Sequence, residues 1–115
     1  MSLKENVETL MRPDKEIRIQ FLDIMSKSLI EYDKNISREL NLRDFEQAYK
    51  INHKFKGTVK MFVTDHFWNI HNRCQELIEQ KAADEDINKF LSGLKEDLKV
   101  GHDEIEQLKL YFSSL

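Results

Sequence analysis

Three glycines and one proline are the only strong chain breakers in these 115 residues. Between them, apolar residues recur at intervals of three and four. A strand-and-turn fold needs far more turns than that supply allows, whereas a few long helices need only short punctuation. The expected fold class is therefore all-α. With 40% hydrophobic and 34% charged residues and a net charge of −3, the chain can build a core. It lacks the large charge excess of a disordered tail or a strongly charged nucleic-acid binder.

Four segments carry helical spacing. The first runs from about Pro13 to Glu39, with Ile17, Phe21, Ile24, Met25, Ser28, Tyr32 and Ile36 on one stripe and Pro13 tolerated at the helix start. Residues 3–11 leave room for a short separate helix using Val7, Leu10 and Met11. The second segment opens at Asp44, an N-cap with Gln47 three places on, and continues to about Phe62. The third follows Thr64, another cap candidate, and shows Phe67, Ile70, His71, Cys74, Leu77 and Ile78 down one side. The fourth begins near Asp84 with Ile87, Phe90, Leu91, Leu94, Leu98, Ile105, Leu108 and Phe112, while Gly93 and Gly101 weaken it and leave room for a break at "VGHD". Short connections imply opposed neighbours. The expectation is an antiparallel four-helix bundle with an extra N-terminal helix, one domain over residues 1–115.

One cysteine, Cys74, rules out an internal disulfide and a multi-cysteine zinc site; on the apolar stripe it reads as an inert packed thiol. No apolar run approaches the ~18 residues of a membrane span, and "MSLKENVETL" lacks the apolar centre of a signal peptide. A cytoplasmic, monomeric protein without nucleic-acid or membrane partners is the expectation.

The second segment is the informative one. At ~100° per residue and with His53 taken as zero, Glu46, Tyr49, Lys50, Lys56, Gly57 and Lys60 lie within roughly 60° of it. Ala48, Ile51, Phe55, Thr58, Val59 and Phe62 fall on the far side and form the core face. His53 therefore points into solvent. Around it Lys50, Lys54, Lys56 and Lys60 stand against Asp44 and Glu46, a local balance of +2 in a chain of −3. A glycine inside a helix costs ~1 kcal/mol relative to alanine. Gly57, on the polar face, leaves bare backbone one turn beyond the imidazole, a gap that suits an incoming macromolecule.

An exposed imidazole among lysines suits nucleophilic catalysis in which the ring nitrogen becomes a covalent carrier. The neutral form of an imidazole carries a ring nitrogen whose lone pair can attack phosphorus. Lys56 and Lys60 would offset charge on the transferring oxygens.

The run His53-Lys54-Phe55-Lys56-Gly57-Thr58 resembles the H-x-[LF]-K-G-[ST] signature of histidine-containing phosphotransfer (HPt) domains. Asp44 is similar in place to the start of their active-site helix. Phe62 and Phe67 fit the flanks of the following turn, and "CQELIE" from Cys74 to Glu79 resembles the opening of their third bundle helix. The likeness spans residues 14–112, with the signature far more specific than the rest. It departs at Asn52 (often alanine, here at the edge of the core), at Val63 (often glycine), and at Lys60 and Met61 (commonly small or polar).

What the resemblance implies is a phosphorelay carrier, not an ATP-dependent autokinase. His53 would be the phosphoacceptor, Lys56 the nearby cation and Gly57 the clearance residue. Tyr49, Lys50, Lys54 and Lys60 would meet the partner, and Thr58 would pack or bond backbone. The implied partners are response-regulator receiver domains or a hybrid sensor kinase. No cofactor is implied in this chain, since magnesium would sit on the receiver.

Two rivals belong to other classes. A helical interaction module would keep the basic face without carrying phosphate. A metal-binding bundle needs inward Glu-x-x-His pairs, which the sequence lacks. His66 and His71 are five apart, a poor spacing for shared ligation. His71 reads as a core-edge histidine, His66 as lying near the active face, and His102 with Asp103 as part of a bend.

Overall fold

A computed structural model describes residues 2–11, 14–62 and 65–115. Five helices follow in order: α1 Leu3–Leu10, α2 Lys15–Asn41, α3 Phe45–Val59, α4 Asp65–Glu79 and α5 Asp84–Ser113. No strand occurs among the described residues. The expectations placed on Pro13, Val63 and Thr64 lie outside these residues.

Three of the helix starts have a local cause in a side-chain cap. Ser2 accepts a bond from the Glu5 amide, Asp14 from Glu16 and Asp44 from Gln47, each satisfying an orphan amide of the first turn. The turns after α2 and α4 share one solution. Arg43 (φ 59°) and Lys81 (φ 47°) take the left-handed conformation. Behind them Asp44 N–H reaches Glu39 O and Ala82 N–H reaches Leu77 O, both at 3.0 Å, which is the Schellman closure usually built on glycine. Arg43 is held by an ion pair to Asp84 at the start of α5, so one side chain ties both turns together.

Helices α2 to α5 form a closed cycle of neighbours, α2 on α3, α3 on α4, α4 on α5 and α5 back on α2, with α1 lightly applied to α2. They share one apolar core, including Leu22, Leu29 and Ile36 of α2, Phe55 and Val59 of α3, Phe67 and Cys74 of α4, and Leu94, Leu98 and Ile105 of α5. The molecule measures 49 × 21 × 21 Å, its long dimension close to the ~45 Å of a 30-residue helix such as α5. No helix among the described residues is long and apolar enough to cross a membrane.

Several expectations need correction. On α2, Met25, Tyr32 and Ile36 are buried, but Ile17 and Ile24 are 38% and 63% exposed, and Leu22 and Leu29 fill the core instead. The reason is length: Ser28 already meets Thr58, one residue from the end of α3, so earlier residues of α2 run past their neighbour. In α1, Leu3 and Val7 are buried while Leu10 is exposed. Helix α3 stops at Val59, and Phe62, though buried, belongs to a tight turn with its N–H on Val59 O. Cys74 to Glu79 close α4 rather than open a helix.

Helix α5 passes through "VGHD" without a break. Gly101 is buried because a Cβ there would stand 2.5 Å from Phe67 Cζ and 3.0 Å from Leu29 Cδ1. It is a close-packing residue. His102 stays helical, with Nδ1 3.3 Å from Ser26 Oγ of α2.

Candidate functional site

Helix α3 presents two faces. Ala48, Phe55 and Val59 are buried, whereas Glu46, Tyr49, Lys50, His53, Gly57 and Lys60 are exposed. Thr58 turns toward α2 and shares a 2.7 Å hydrogen bond with Ser28, so its hydroxyl serves packing. Ile51 is half-buried against the core.

The His53 ring lies outside the core, with the Tyr49 ring one turn before it nearly parallel, 16° between planes and 6.0 Å between centroids. Among the described residues no hydrogen bond holds the imidazole. One turn after it, a Cβ at Gly57 would meet nothing within 4 Å. Packing among the described residues gives no reason for a glycine there.

The lysines separate into two sides. Lys50 and Lys54 line a cleft of ≈ 210 Å³ between α2 and α3, with Glu31, Asn35 and Ser28 opposite and Tyr32, Ile51 and Phe55 as its apolar floor. Lys50 also lies 3.9 Å from Glu46. Lys56 is half-buried in the last turn, and Lys60 caps α3 with its N–H on Lys56 O. Among the described residues no carboxylate pairs with Lys54, Lys56 or Lys60, so three ammonium groups remain available on this face. The cleft was not foreseen, because Glu31 and Asn35 come from α2; the Lys50–Lys54 spacing of four, which sets both on one edge, was its only trace in the sequence.

Beneath the face lies a polar chain. Asn52 is fully buried, not at the core edge. Its Oδ1 accepts from Tyr32 OH of α2 at 2.8 Å. Its Nδ2 donates to His71 O at 3.1 Å and to Gln75 Oε1 at 3.4 Å, both on α4. Gln75 Nε2 in turn donates to Glu79 Oε1 at 3.0 Å. Tyr32 also stacks on Phe55, 3.7 Å between centroids. Burial raises its hydroxyl well above the ordinary 10.0, with the adjoining Cys74 adding to the shift. The buried Cys74 thiol is pushed by desolvation from 9.0 up to about 12, with the Tyr32 hydroxyl pulling slightly the other way. A thiol held protonated to that degree is a packing group.

The other histidines are dispersed. His71 is buried, its Nδ1 3.3 Å from Asn72 Oδ1. His66 does not join the His53 face: its Nε2 donates to Asp97 O of α5 at 2.7 Å. Among the described residues no three His, Cys, Asp or Glu side chains gather closely enough to hold a metal ion.

Comparison of the chain with protein-family models, with curated proteins and with solved structures returns no match.

Proposed function

We propose that this chain is a histidine phosphotransfer protein of a two-component phosphorelay, built as an antiparallel four-helix bundle with α1 as an added helix. His53 takes a phosphoryl group from a receiver-domain aspartate and passes it on. The reading rests on the signature around His53. The observation that carries it furthest is an imidazole on an outer helix face, one turn from a glycine that no packing contact among the described residues requires.

In the proposed step the unprotonated Nε2 attacks phosphorus in line. The N–P bond forms as the P–O bond to the partner's carboxylate breaks, the carboxylate leaves as an anion, and the ring keeps its proton on Nδ1. Lys56 and Lys60 offset charge on the equatorial oxygens. Lys50 and Lys54 attract the acidic, magnesium-binding pocket expected of a receiver. The bare backbone at Gly57 admits the partner's loops. No nucleotide or metal is required of this chain, since the partner supplies magnesium and the acceptor carboxylate.

The test is phosphoryl transfer from phosphorylated receiver domains and from phosphoramidate. Wild-type protein is expected to gain an acid-labile label on His53, and His53→Gln to stay unlabelled. Absence of label with every receiver of the source organism, or label on another histidine, overturns the reading and leaves the helical interaction module in its place.

A further inference from the structure

We propose that Asn52 is a positioning residue that sets the rotation of α3 about its own axis and so holds His53 on the outer face. Its relevance to transfer rests on the carrier reading; its effect on α3 does not.

Apart from Asn52, the buried side chains of α3 are apolar: Ala48, Phe55 and Val59. Apolar burial is non-directional, and such a face tolerates a modest roll of the helix with similar area buried. Hydrogen bonds do not, because they weaken steeply with angle and distance. A roll of about 30° moves an atom ~5 Å from the axis by roughly 2.6 Å, enough to break a side-chain bond. Asn52 is tethered on both sides, to Tyr32 of α2 through its carbonyl and to His71 O and Gln75 of α4 through its amide. A roll in either direction lengthens bonds on one side or the other. His53 is the next residue, ~100° round the same helix, and shares whatever angle Asn52 adopts. The half-buried Thr58 shares a hydrogen bond with Ser28 of α2 and, among the described residues, with no group on α4, so Asn52 is the one side chain of α3 tethered to both neighbours. Buried polar groups elsewhere specify register in the same manner, without adding stability.

The experiment uses the full chain with Asn52→Leu, which replaces the amide by an apolar group of similar shape, and Tyr32→Phe, which removes one tether and keeps the ring. Two quantities are read. The first is the His53 ring in the proton NMR spectrum, with the interhelical nuclear Overhauser contact between the Phe55 ring and the ring at position 32. The second is the rate of transfer from a phosphorylated receiver beside labelling by phosphoramidate.

In Asn52→Leu the melting temperature is expected to fall modestly, because the buried Tyr32 hydroxyl loses its acceptor, while the single His53 resonance shifts or splits. Receiver-dependent transfer should fall about tenfold and phosphoramidate labelling should stay within about twofold, because only the docked reaction depends on placement. Tyr32→Phe should fall between the two. An unshifted single resonance with the contact between Phe55 and the ring at position 32 intact in both variants overturns the proposal, as does an equal loss with both donors. If wild type takes no phosphoryl group, the carrier reading fails, and the resonances alone decide the role of Asn52. Should Asn52→Leu not fold, Tyr32→Phe decides.

Discussion

Gly57 and Gly101 occupy long helices and ask opposite things of them. Each weakens its helix by ~1 kcal/mol relative to alanine. At Gly101 the compensation is internal: Phe67 and Leu29 fill the space a Cβ would need, and α5 approaches α4 and α2 more closely than any other residue would permit. At Gly57 the same space is empty and faces solvent. One glycine answers a demand of the fold, and at the other no atom of the described residues stands where a Cβ would go. An unexplained weakness on an exposed face is therefore informative, whereas the same weakness in a packed seam is not.

The largest effect should come from the packed seam. Gly101→Val forces the Phe67 ring, which is 1% exposed and already against Phe62 at 4.3 Å between centroids, to move with nowhere to go. The expected loss is about 3 kcal/mol, in the upper range of overpacked cores. That corresponds to a drop in Tm of about 12 °C for a domain of this size. Urea unfolding measures it directly. Wild-type stability in this variant would remove the packing account of Gly101 and with it one half of the contrast.

Next comes the outer face. Gly57→Phe is expected to leave unfolding unchanged or slightly strengthened while receiver-dependent transfer falls about 30-fold, equivalent to roughly 2 kcal/mol in the barrier. Gly57→Ala, by contrast, should stabilise by ~1 kcal/mol through helix propensity and alter transfer far less. Transfer kinetics beside chemical unfolding separate the two. If Gly57→Phe transfers at the wild-type rate, the open patch has no partner. If Gly57→Ala destabilises, the helix at that point is constrained from within after all.

The two faces of α3 were legible in the sequence because they follow from a fixed ~100° per residue. The angular count that set His53 opposite Phe55 and Val59 needed no knowledge of neighbours, and Asp44 caps α3 on the Gln47 amide as its spacing predicted. What the count missed depends on other helices. Ile17 and Ile24 share the apolar period of α2 but outrun α3. Asn52 looked peripheral until Tyr32, His71 and Gln75 closed around it. The turns at Arg43 and Lys81 adopt a conformation for which a glycine would have been the signal, and the ion pair from Arg43 to Asp84 spans residues no local pattern connects. The signature itself concerns six residues, and its extension to "CQELIE" misjudged a helix end as a helix start.

The smallest effect sets the buried Cys74 thiol beside the exposed His53 imidazole, at alkaline pH. In the unfolded chain Cys74 ionises near 9.0, while the folded core holds the thiol protonated to about 12. The folded state thus binds more protons across that window. Its contribution is complete below pH 9 and is lost as pH climbs toward 12. Cys74→Ala removes this dependence and subtracts a packing contribution at every pH. The stability gap between wild type and Cys74→Ala is therefore expected to be constant from pH 7 to 8.5 and to narrow by pH 10.5, read from urea unfolding at each pH. At pH 8 a thiol reagent should leave folded Cys74 unmodified while diethyl pyrocarbonate reacts with His53. A gap that stays constant through pH 10.5, or a Cys74 that reacts as fast as a free thiol, would mean that the interior beneath α3 is open to solvent. The outer face would then lose the closed core against which its exposure is measured.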